Sequence, residues 1–185
     1  IQYNGQRYFP LAQNWTARVR TKVGFGDGYG GTTALPFYEH FFSGGFGSVR
    51  GFETNTLGPR STDPLIDIDG DGIPDNIFRR DPPPFGGNLL VEASAELIFP
   101  LPFIEDTGQF RPVLFVDAGN VFNTNCPDVS VVCSDFDLNE MRYSVGVAVT
   151  WLTGLGPMTF GLSKPFNAGE FDERETFQFE LGRTF

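Results

Sequence analysis

The stretch that decides the fold is Phe41 to Arg60, FFSGGFGSVRGFETNTLGPR. Four of its five glycines lie at positions 44, 45, 47 and 51, interleaved with phenylalanines at positions 41, 42, 46 and 52. Glycine lets a backbone turn tightly and pack close to its neighbours, and a loop this apolar is expected to fold onto a wall of the same molecule. Arg50 lies inside the stretch and needs acceptors if the loop is buried. The rest of the chain must supply both the wall and those acceptors.

The composition limits the class of protein. The chain has 185 residues, a net charge of -10 and 19% charged residues, a share below the roughly 25% that is usual in soluble domains. This acidity argues against nucleic acid as a partner, because nucleic-acid-binding surfaces are basic. No apolar run approaches the ~20 residues of a membrane helix, but a transmembrane barrel hides its signal in alternating strands of ~10 residues. Because the chain starts at Ile1, we expect that targeting and N-terminal domains precede it.

Seven segments alternate apolar and polar side chains with a period of two, which predicts seven β-strands. The predicted strands are residues 1–12, 16–29, 88–99, 111–122, 142–152, 158–166 and 176–185. The connections between them are alternately short and long, and the longest, residues 30–87, is too long for an ordinary loop. Outer-membrane barrels have short periplasmic turns and long outer loops. The pattern therefore predicts an all-β, transmembrane antiparallel β-barrel segment whose last strand ends on the periplasmic side.

The two faces of the predicted strands differ in chemistry. The valine, leucine and phenylalanine face must meet lipid, because hydrocarbon cannot solvate charge. The opposite face would line a polar lumen and carries Arg18, Arg20, Lys22, Glu92, Glu96 and Asp117. If strands 16–29 and 88–99 pair, these charges form either a lumen network or a wetted polar wall, and we favour the wetted wall.

The alternative architecture is a soluble β-sandwich with the apolar face as its core. Aromatic side chains near the strand ends favour the barrel, because membrane barrels carry aromatic girdles at both interfaces. These aromatic residues are Tyr8, Phe25, Tyr29, Phe99, Phe122, Trp151 and Phe185.

The segment Val49-Arg50-Gly51-Phe52 resembles the VRGF motif of the BamA family, the outer-membrane β-barrel insertases. Other stretches resemble the family in the same order along the chain: PFYE at 36–39, FVDAGNV at 115–121, RYS at 142–144, LGP at 155–157, KPF at 164–166 and the end of the chain at 177–185. The resemblance covers nearly all of residues 1–185. It implies the C-terminal seven strands of a barrel of roughly sixteen, with residues 30–87 as its sixth outer loop, folded into the lumen.

The resemblance implies an insertase subunit of the bacterial outer membrane that needs no cofactor. Its partners would be unfolded outer-membrane protein clients, accessory lipoproteins of the assembly complex and outer-membrane lipid. Client strands would enter at a lateral seam formed by the last strand, because an unpaired strand edge is a template for β-augmentation. The seam residues would be Phe177, Phe179, Leu181, Gly182 and Phe185. Gly182 matches the position where the family's last strand bends inward, and glycine weakens strand pairing.

The resemblance also gives Arg50 a structural role, in which Val49, Arg50, Gly51 and Phe52 anchor the loop to the inner wall. In the family this arginine meets carboxylates, and Glu96 and Asp117 match them. The face assignment places both acids inside independently of the resemblance. A charge-assisted pair there would be worth about 1.5–3 kcal/mol per hydrogen bond. The alternative is a solvated loop arginine.

Two motifs in the loops predict further sites. Oxygen ligands at Asp67, Asp69, Asp71 and Asp75 fall at positions one, three, five and nine of a calcium loop, with Gly72 at position six. Phe78 stands where an EF-hand has its bidentate Glu, so the alternative is an acidic, solvated loop tip. In an envelope protein, Cys126 and Cys133 predict a disulfide rather than two free thiols.

No catalytic constellation is found in the sequence, so we expect no enzyme activity. Two other functions stay open beside the insertase: a related barrel of the same superfamily that exports one secreted partner, and a passive pore. The exporter would share the arginine motif, but the residues that flank Arg50 favour the insertase. A lumen plugged by the loop argues against an open pore.

Overall fold

The computed structural model describes residues 1–32, 34–61, 82–100, 109–124, 135–154 and 156–182. Its strands are β1 (Gln2–Ala12), β2 (Trp15–Phe25), β3 (Leu89–Ile98), β4 (Phe110–Phe122), β5 (Arg142–Thr153), β6 (Gly156–Phe166) and β7 (Phe177–Leu181). Two short 3₁₀ helices, Phe37–Glu39 and Leu138–Glu140, lie in the connections. The seven predicted strands and the all-β class are confirmed.

No helix in the described ranges is both long enough and apolar enough to cross a membrane.

The seven strands form one antiparallel sheet in the order β1-β2-β3-β4-β5-β6-β7. Each strand pairs with its neighbour in sequence, across both short and long connections, in a defined register. It sets Arg18 opposite Glu96 across β2 and β3, and Asp117 opposite Ser144 across β4 and β5. Within the described residues, β1 and β7 each pair along one edge only. The sheet therefore presents two free edges.

The outward face of the sheet is apolar and open. Val145, Val147 and Val116 are each more than 40% exposed, and no second sheet packs over them in the part that the structure describes. At the end of the sheet that carries the short connections, Trp15 stacks on Phe99 and Phe110 stacks on Trp151, both with ring centroids 5.7 Å apart. Such an aromatic layer is typical of a membrane interface.

The inward face is polar but buried, because the described part of the 30–87 connection lies on it. Backbone bridges join Phe41 to Gly87, Ser43 to Leu57 and Arg60 to Pro84, which close this connection into a compact lobe. Phe46 of the lobe packs with Val113, Phe115 and Ala148 of the sheet, while Val49, Phe52 and Leu57 form a second buried cluster. The glycine–phenylalanine stretch thus folds onto the wall, as its composition predicts.

Two residues correct the predicted faces. The predicted aromatic girdle includes Tyr8, but Tyr8 lies directly opposite Arg18 across β1 and β2, and its ring centroid is 6.0 Å from the guanidinium carbon of Arg18, so it faces inward. Phe122 was assigned to lipid and to the aromatic girdle by its alternation with Leu114 and Val116, but it is fully buried. Its ring packs edge-on against Phe136 at 5.2 Å, and Gly87 of the lobe lies against its backbone carbonyl. The lobe and the next connection cover the loop end of β4, so the alternation no longer separates lipid from protein there.

Candidate functional site

The centre of the site is the turn that carries Arg50 into the wall. Val49 and Phe52 are fully buried on either side of it. Gly51 has a φ of 89°, a backbone conformation that L side chains rarely adopt, and a Cβ there would lie 3.0 Å from the Ser163 hydroxyl oxygen. Glycine is therefore required directly after the arginine, since only this turn lets Arg50 point at β3 and β4.

Arg50 is 1% exposed and is held mainly by Asp117. Its Nε donates to Asp117 Oδ2 at 2.7 Å and its Nη2 donates to Oδ1 at 2.7 Å, which makes a bidentate fork. The backbone N–H of Arg50 donates to Oδ2 at 3.1 Å, so one carboxylate fixes both the side chain and the loop backbone. The Ser94 hydroxyl donates to Asp117 Oδ1 at 2.6 Å and accepts from Arg50 Nη2 at 3.1 Å.

Glu96 supplies the second negative charge. Its Oε1 lies 2.8 Å from Arg50 Nη2, in an ion pair that lacks the alignment of a hydrogen bond. Its other oxygen, Oε2, forms an ion pair with Arg18 of the adjacent strand. The structure therefore brings Arg50, Glu96 and Asp117 together as one buried cluster.

The wetted-wall prediction was wrong for part of this cluster. Arg18 is 3% exposed and Glu96 is 5% exposed, so their pair is buried rather than washed by solvent. Tyr8 of β1 lies over Arg18, with its ring centroid 6.0 Å from the guanidinium carbon, and Arg50 of the lobe contacts Glu96. Lys22 fits the prediction better: its side chain is 33% exposed, 3.9 Å from Glu92. It lines a polar cavity of about 320 Å³ beside the loop.

Sequence reasoning missed the aromatic ring that packs against Arg50. The Phe115 ring lies on the inward face, and its centroid is 3.5 Å from the guanidinium carbon of Arg50, in a cation–π contact. Gly146 lies opposite Phe115 across β4 and β5, and a Cβ at Gly146 would come within 2.5 Å of this ring. The signal was a phenylalanine on the same strand face as Asp117, at a position where a polar residue was expected.

A second contact between loop and wall was also missed. The Ser43 hydroxyl donates to Glu92 Oε1 at 2.8 Å, and the Ser48 hydroxyl donates to the same oxygen. The two hydroxyls also lie 2.9 Å from each other. Glu92 precedes Glu96 by four residues on the same face of β3. The inner wall therefore carries carboxylates at two positions along this strand. The serines carried no motif that could have identified them.

The predicted seam residues within β7 all lie on its outward face. Phe177, Phe179 and Leu181 are exposed on the outward side of β7, and Gly182 follows the strand with a φ of 89°. The inward residue between them, Gln178, is 4% exposed and contacts the loop. Sequence reasoning treated it only as part of the polar face.

Several predicted sites lie outside the described residues. These are the calcium ligands Asp67, Asp69, Asp71 and Asp75, the disulfide partners Cys126 and Cys133, and the terminal Phe185. Within the described ranges, no group of three or more His, Cys, Asp or Glu side chains is arranged to hold a metal ion.

Carboxylates meet where the loop approaches the connection before β7. The pKa of the Glu53 carboxyl is raised, first by a hydrogen bond with Glu173 and then by the negative charges of Glu173 and Glu175. The Glu53 carboxyl therefore holds its proton more tightly here than in the unfolded chain.

Known proteins match the whole chain. Residues 1–185 match the Omp85 superfamily domain. The chain is 38% identical to the outer membrane protein assembly factor BamA of Neisseria meningitidis serogroup B, over 99% of the chain and 23% of that protein. It is 26% identical to BamA of Nitratidesulfovibrio vulgaris, over 97% of the chain and 20% of that protein. A SAM50-like protein of Schizosaccharomyces pombe is 28% identical over 80% of the chain and 27% of its own length.

A solved structure agrees with the fold. The crystal structure of BamA from Haemophilus ducreyi lacking POTRA domains 1–3 matches with a TM-score of 0.75 and 33% identity, over 96% of the chain and 33% of that structure's chain. The chain therefore spans about a quarter of the length of the curated relatives it matches.

Proposed function

Because this chain belongs to the Omp85 superfamily, we propose that it is the C-terminal part of an outer-membrane protein assembly factor. The relatives from Neisseria and Nitratidesulfovibrio carry that name, and the first is 38% identical over 99% of the chain. Like them, the chain is a protein of the bacterial outer membrane. Its clients would be unfolded outer-membrane proteins, and its partners would be accessory lipoproteins and outer-membrane lipid.

The observation that carries the proposal is the anchored loop. Arg50 is buried between Asp117 and Glu96, so the 30–87 connection is fixed on the inward face of the sheet. A loop fixed on the inner face in this way occupies the space that an open channel would need. This favours the assembly factor over the open pore.

The working edge in this proposal is β7. It pairs with β6 over five residues, from Phe177 to Leu181, and its other edge is unpaired in the described part. A client strand can add to such an edge through backbone hydrogen bonds that do not depend on the client's sequence. Gly182 follows the last paired residue with a φ of 89°, while its N–H still donates to the Pro157 carbonyl oxygen of β6.

Depletion and rescue of the full-length parent tests this function. We expect many unrelated barrel proteins to disappear from the outer membrane on depletion and to return with the unmodified protein. The Arg50→Ala variant should fail to restore them, whereas Arg111→Ala should restore them, because Arg111 lies on the same strand as Asp117 but is exposed.

Other outcomes of that experiment would contradict the proposal. If a single exported protein disappears on depletion, the chain belongs to an exporter. If only the permeability to small solutes changes, it belongs to a pore.

A further inference from the structure

Gln178 of β7 is hydrogen-bonded to the backbone of the loop motif. The Gly51 N–H donates to Gln178 Oε1 at 3.1 Å, and Gln178 Nε2 donates to the Phe52 carbonyl oxygen at 2.8 Å. Nε2 also donates to Glu175 Oε2 at 3.1 Å. A primary amide offers an acceptor and two donors together, so this one side chain satisfies two buried backbone groups of the loop.

The backbone next to Gln178 makes the same connection. Phe52 and Arg174 form an antiparallel bridge. The Glu53 N–H donates to the Glu173 carbonyl and the Glu175 N–H donates to the Gly51 carbonyl, both at 2.9 Å. Residues 51–53 therefore run alongside residues 173–175 like a short pair of strands. We call these two segments together with Gln178 the clasp.

The clasp holds only one end of β7. Gln178 is the second of five residues in the strand, and the positive φ at Gly182 follows four residues later. Between these two points, Phe179 and Leu181 are exposed. The stretch after Gln178 pairs with β6 as far as Leu181 opposite Met158, and the Gly182 N–H still donates to the Pro157 carbonyl oxygen at 2.9 Å. The contacts between the loop and β7 are thus made at the start of the strand.

We propose that Gln178 is a positioning residue that couples the anchored loop to the seam strand. This inference rests on the proposed function, in which β7 is the seam. The clasp keeps the first part of β7 in a fixed register against the wall, and movement of the seam is confined to the stretch from Phe179 onward. A client strand then meets an edge whose register is set from the clasp.

The test uses the full-length parent in lipid bilayers and compares three variants with the unmodified protein. Gln178→Leu removes all the amide hydrogen bonds, while Gln178→Glu keeps the acceptor for Gly51 but cannot donate to Phe52. Thr159→Val is the matched control, because Thr159 is equally buried on the inward face of β6 and bonds Thr150 at 3.1 Å. Hydrogen exchange of backbone amides reports the local opening of each segment.

With Gln178→Leu we expect amides 51–53 and 174–178 to exchange about tenfold faster, because two buried hydrogen bonds are lost. Gln178→Glu should exchange at least as fast as Gln178→Leu, because its carboxylate would lie against the Glu175 carboxylate and the Phe52 carbonyl oxygen. Amides of β3 and β4 should keep their rates in every variant, since a general loss of stability would speed them as well. The Thr159→Val control should leave both clasp segments unchanged.

Equal exchange of the clasp segments in Gln178→Leu and Thr159→Val would overturn the inference. If Gln178→Leu does not fold, the Gln178→Glu variant decides by the same readout.

Insertion of a model barrel client into the same bilayers separates this inference from the function on which it rests. We expect insertion by Gln178→Leu to be about five- to tenfold slower than by Thr159→Val. If the unmodified protein inserts no client, the proposed function fails, and the exchange data still decide the clasp. If the unmodified protein inserts clients and Gln178→Leu does so at the same rate, the function stands and the coupling role of Gln178 is wrong.

Discussion

At the scale of single residues, the anchor depends on the shape of Arg50 as much as on its charge. The guanidinium reaches both oxygens of Asp117, approaches Glu96 and covers the Phe115 ring at once. Only a flat, forked cation can make all of these contacts together, and an ammonium group cannot. The anchor therefore favours arginine over lysine, although the two side chains carry the same charge.

We expect Arg50→Ala to lower the free energy of unfolding by about 3–5 kcal/mol, because it leaves the buried Asp117 carboxylate without its cation. Arg50→Lys should lose a smaller but clear part of that energy. Urea unfolding of the full-length parent in detergent micelles measures both. A lysine variant as stable as the unmodified protein would show that charge alone is sufficient.

The turn after the arginine makes a second prediction. Gly51→Ala places a side chain at a φ of 89° and 3.0 Å from the Ser163 hydroxyl. It should cost about 1–2 kcal/mol for the left-handed backbone alone. Gly31→Ala is the control, because a Cβ there meets nothing within 4 Å and its φ lies outside the left-handed region. Thermal unfolding of both variants checks this, and equal midpoints would contradict it.

The carboxyl pair at Glu53 predicts a dependence on pH. Its raised pKa means that the folded state binds the proton more tightly than the unfolded state does. The stabilisation is therefore complete below the unfolded value of 4.5 and is lost as the pH rises through the higher folded pKa. We expect the unmodified protein to lose stability relative to Glu53→Gln over this window. If the difference in unfolding free energy between the two proteins does not change with pH, the raised pKa of Glu53 is wrong.

At the scale of elements, the strands were predictable and the contacts made by the lobe were not. The alternation in β5 is complete because every second residue, from Tyr143 to Trp151, faces outward. The same rule failed at Phe122, because the lobe buries a position that the strand alone would expose. A period of two records only which side of a strand a residue occupies, and it contains no information about what covers that side.

The candidate site shows the same limit. Arg50, Glu96 and Asp117 could be proposed together because charged residues on an inward face need partners, and the family motif named the arginine. Gln178, Ser43 and Ser48 are ordinary polar residues whose importance comes from where the loop is placed. That placement depends on contacts between distant parts of the chain, such as the 127-residue separation between Gly51 and Gln178.

At the scale of the whole molecule, the inward face carries the buried ion pairs, whereas the outward face is mainly apolar. The chain carries a net charge of -10, yet the middle of its outward face is built from valine, leucine and phenylalanine. Lys164 faces outward near the loop end of β6, where its ammonium group lies 5.5 Å from the Phe166 ring centroid. A long cation near a rim can extend toward water, whereas one at mid-height cannot. This arrangement suits a lipid bilayer.

The outward face therefore predicts a dependence on depth. Val147→Arg lies near the middle of β5 and should destabilise the protein by about 2–4 kcal/mol in bilayers. Tyr143→Arg lies near the end of the same strand and should cost about 0–1 kcal/mol. Folding titrations of the full-length parent in lipid vesicles measure the difference. Equal costs at the two positions would mean that β5 does not cross the hydrocarbon.

The long-range character of the anchor has a consequence for the order of assembly. Arg50 leaves the ribosome before its partner Asp117, 67 residues later, and long before Gln178. The loop cannot reach its final position until β3 and β4 have formed a wall, and its turn at Gly51 is complete only when β7 has arrived. Contacts of such separation form late, since the chain must close a large loop before they contribute. The contacts of the docked loop are thus complete only when the last strand of the sheet is in place.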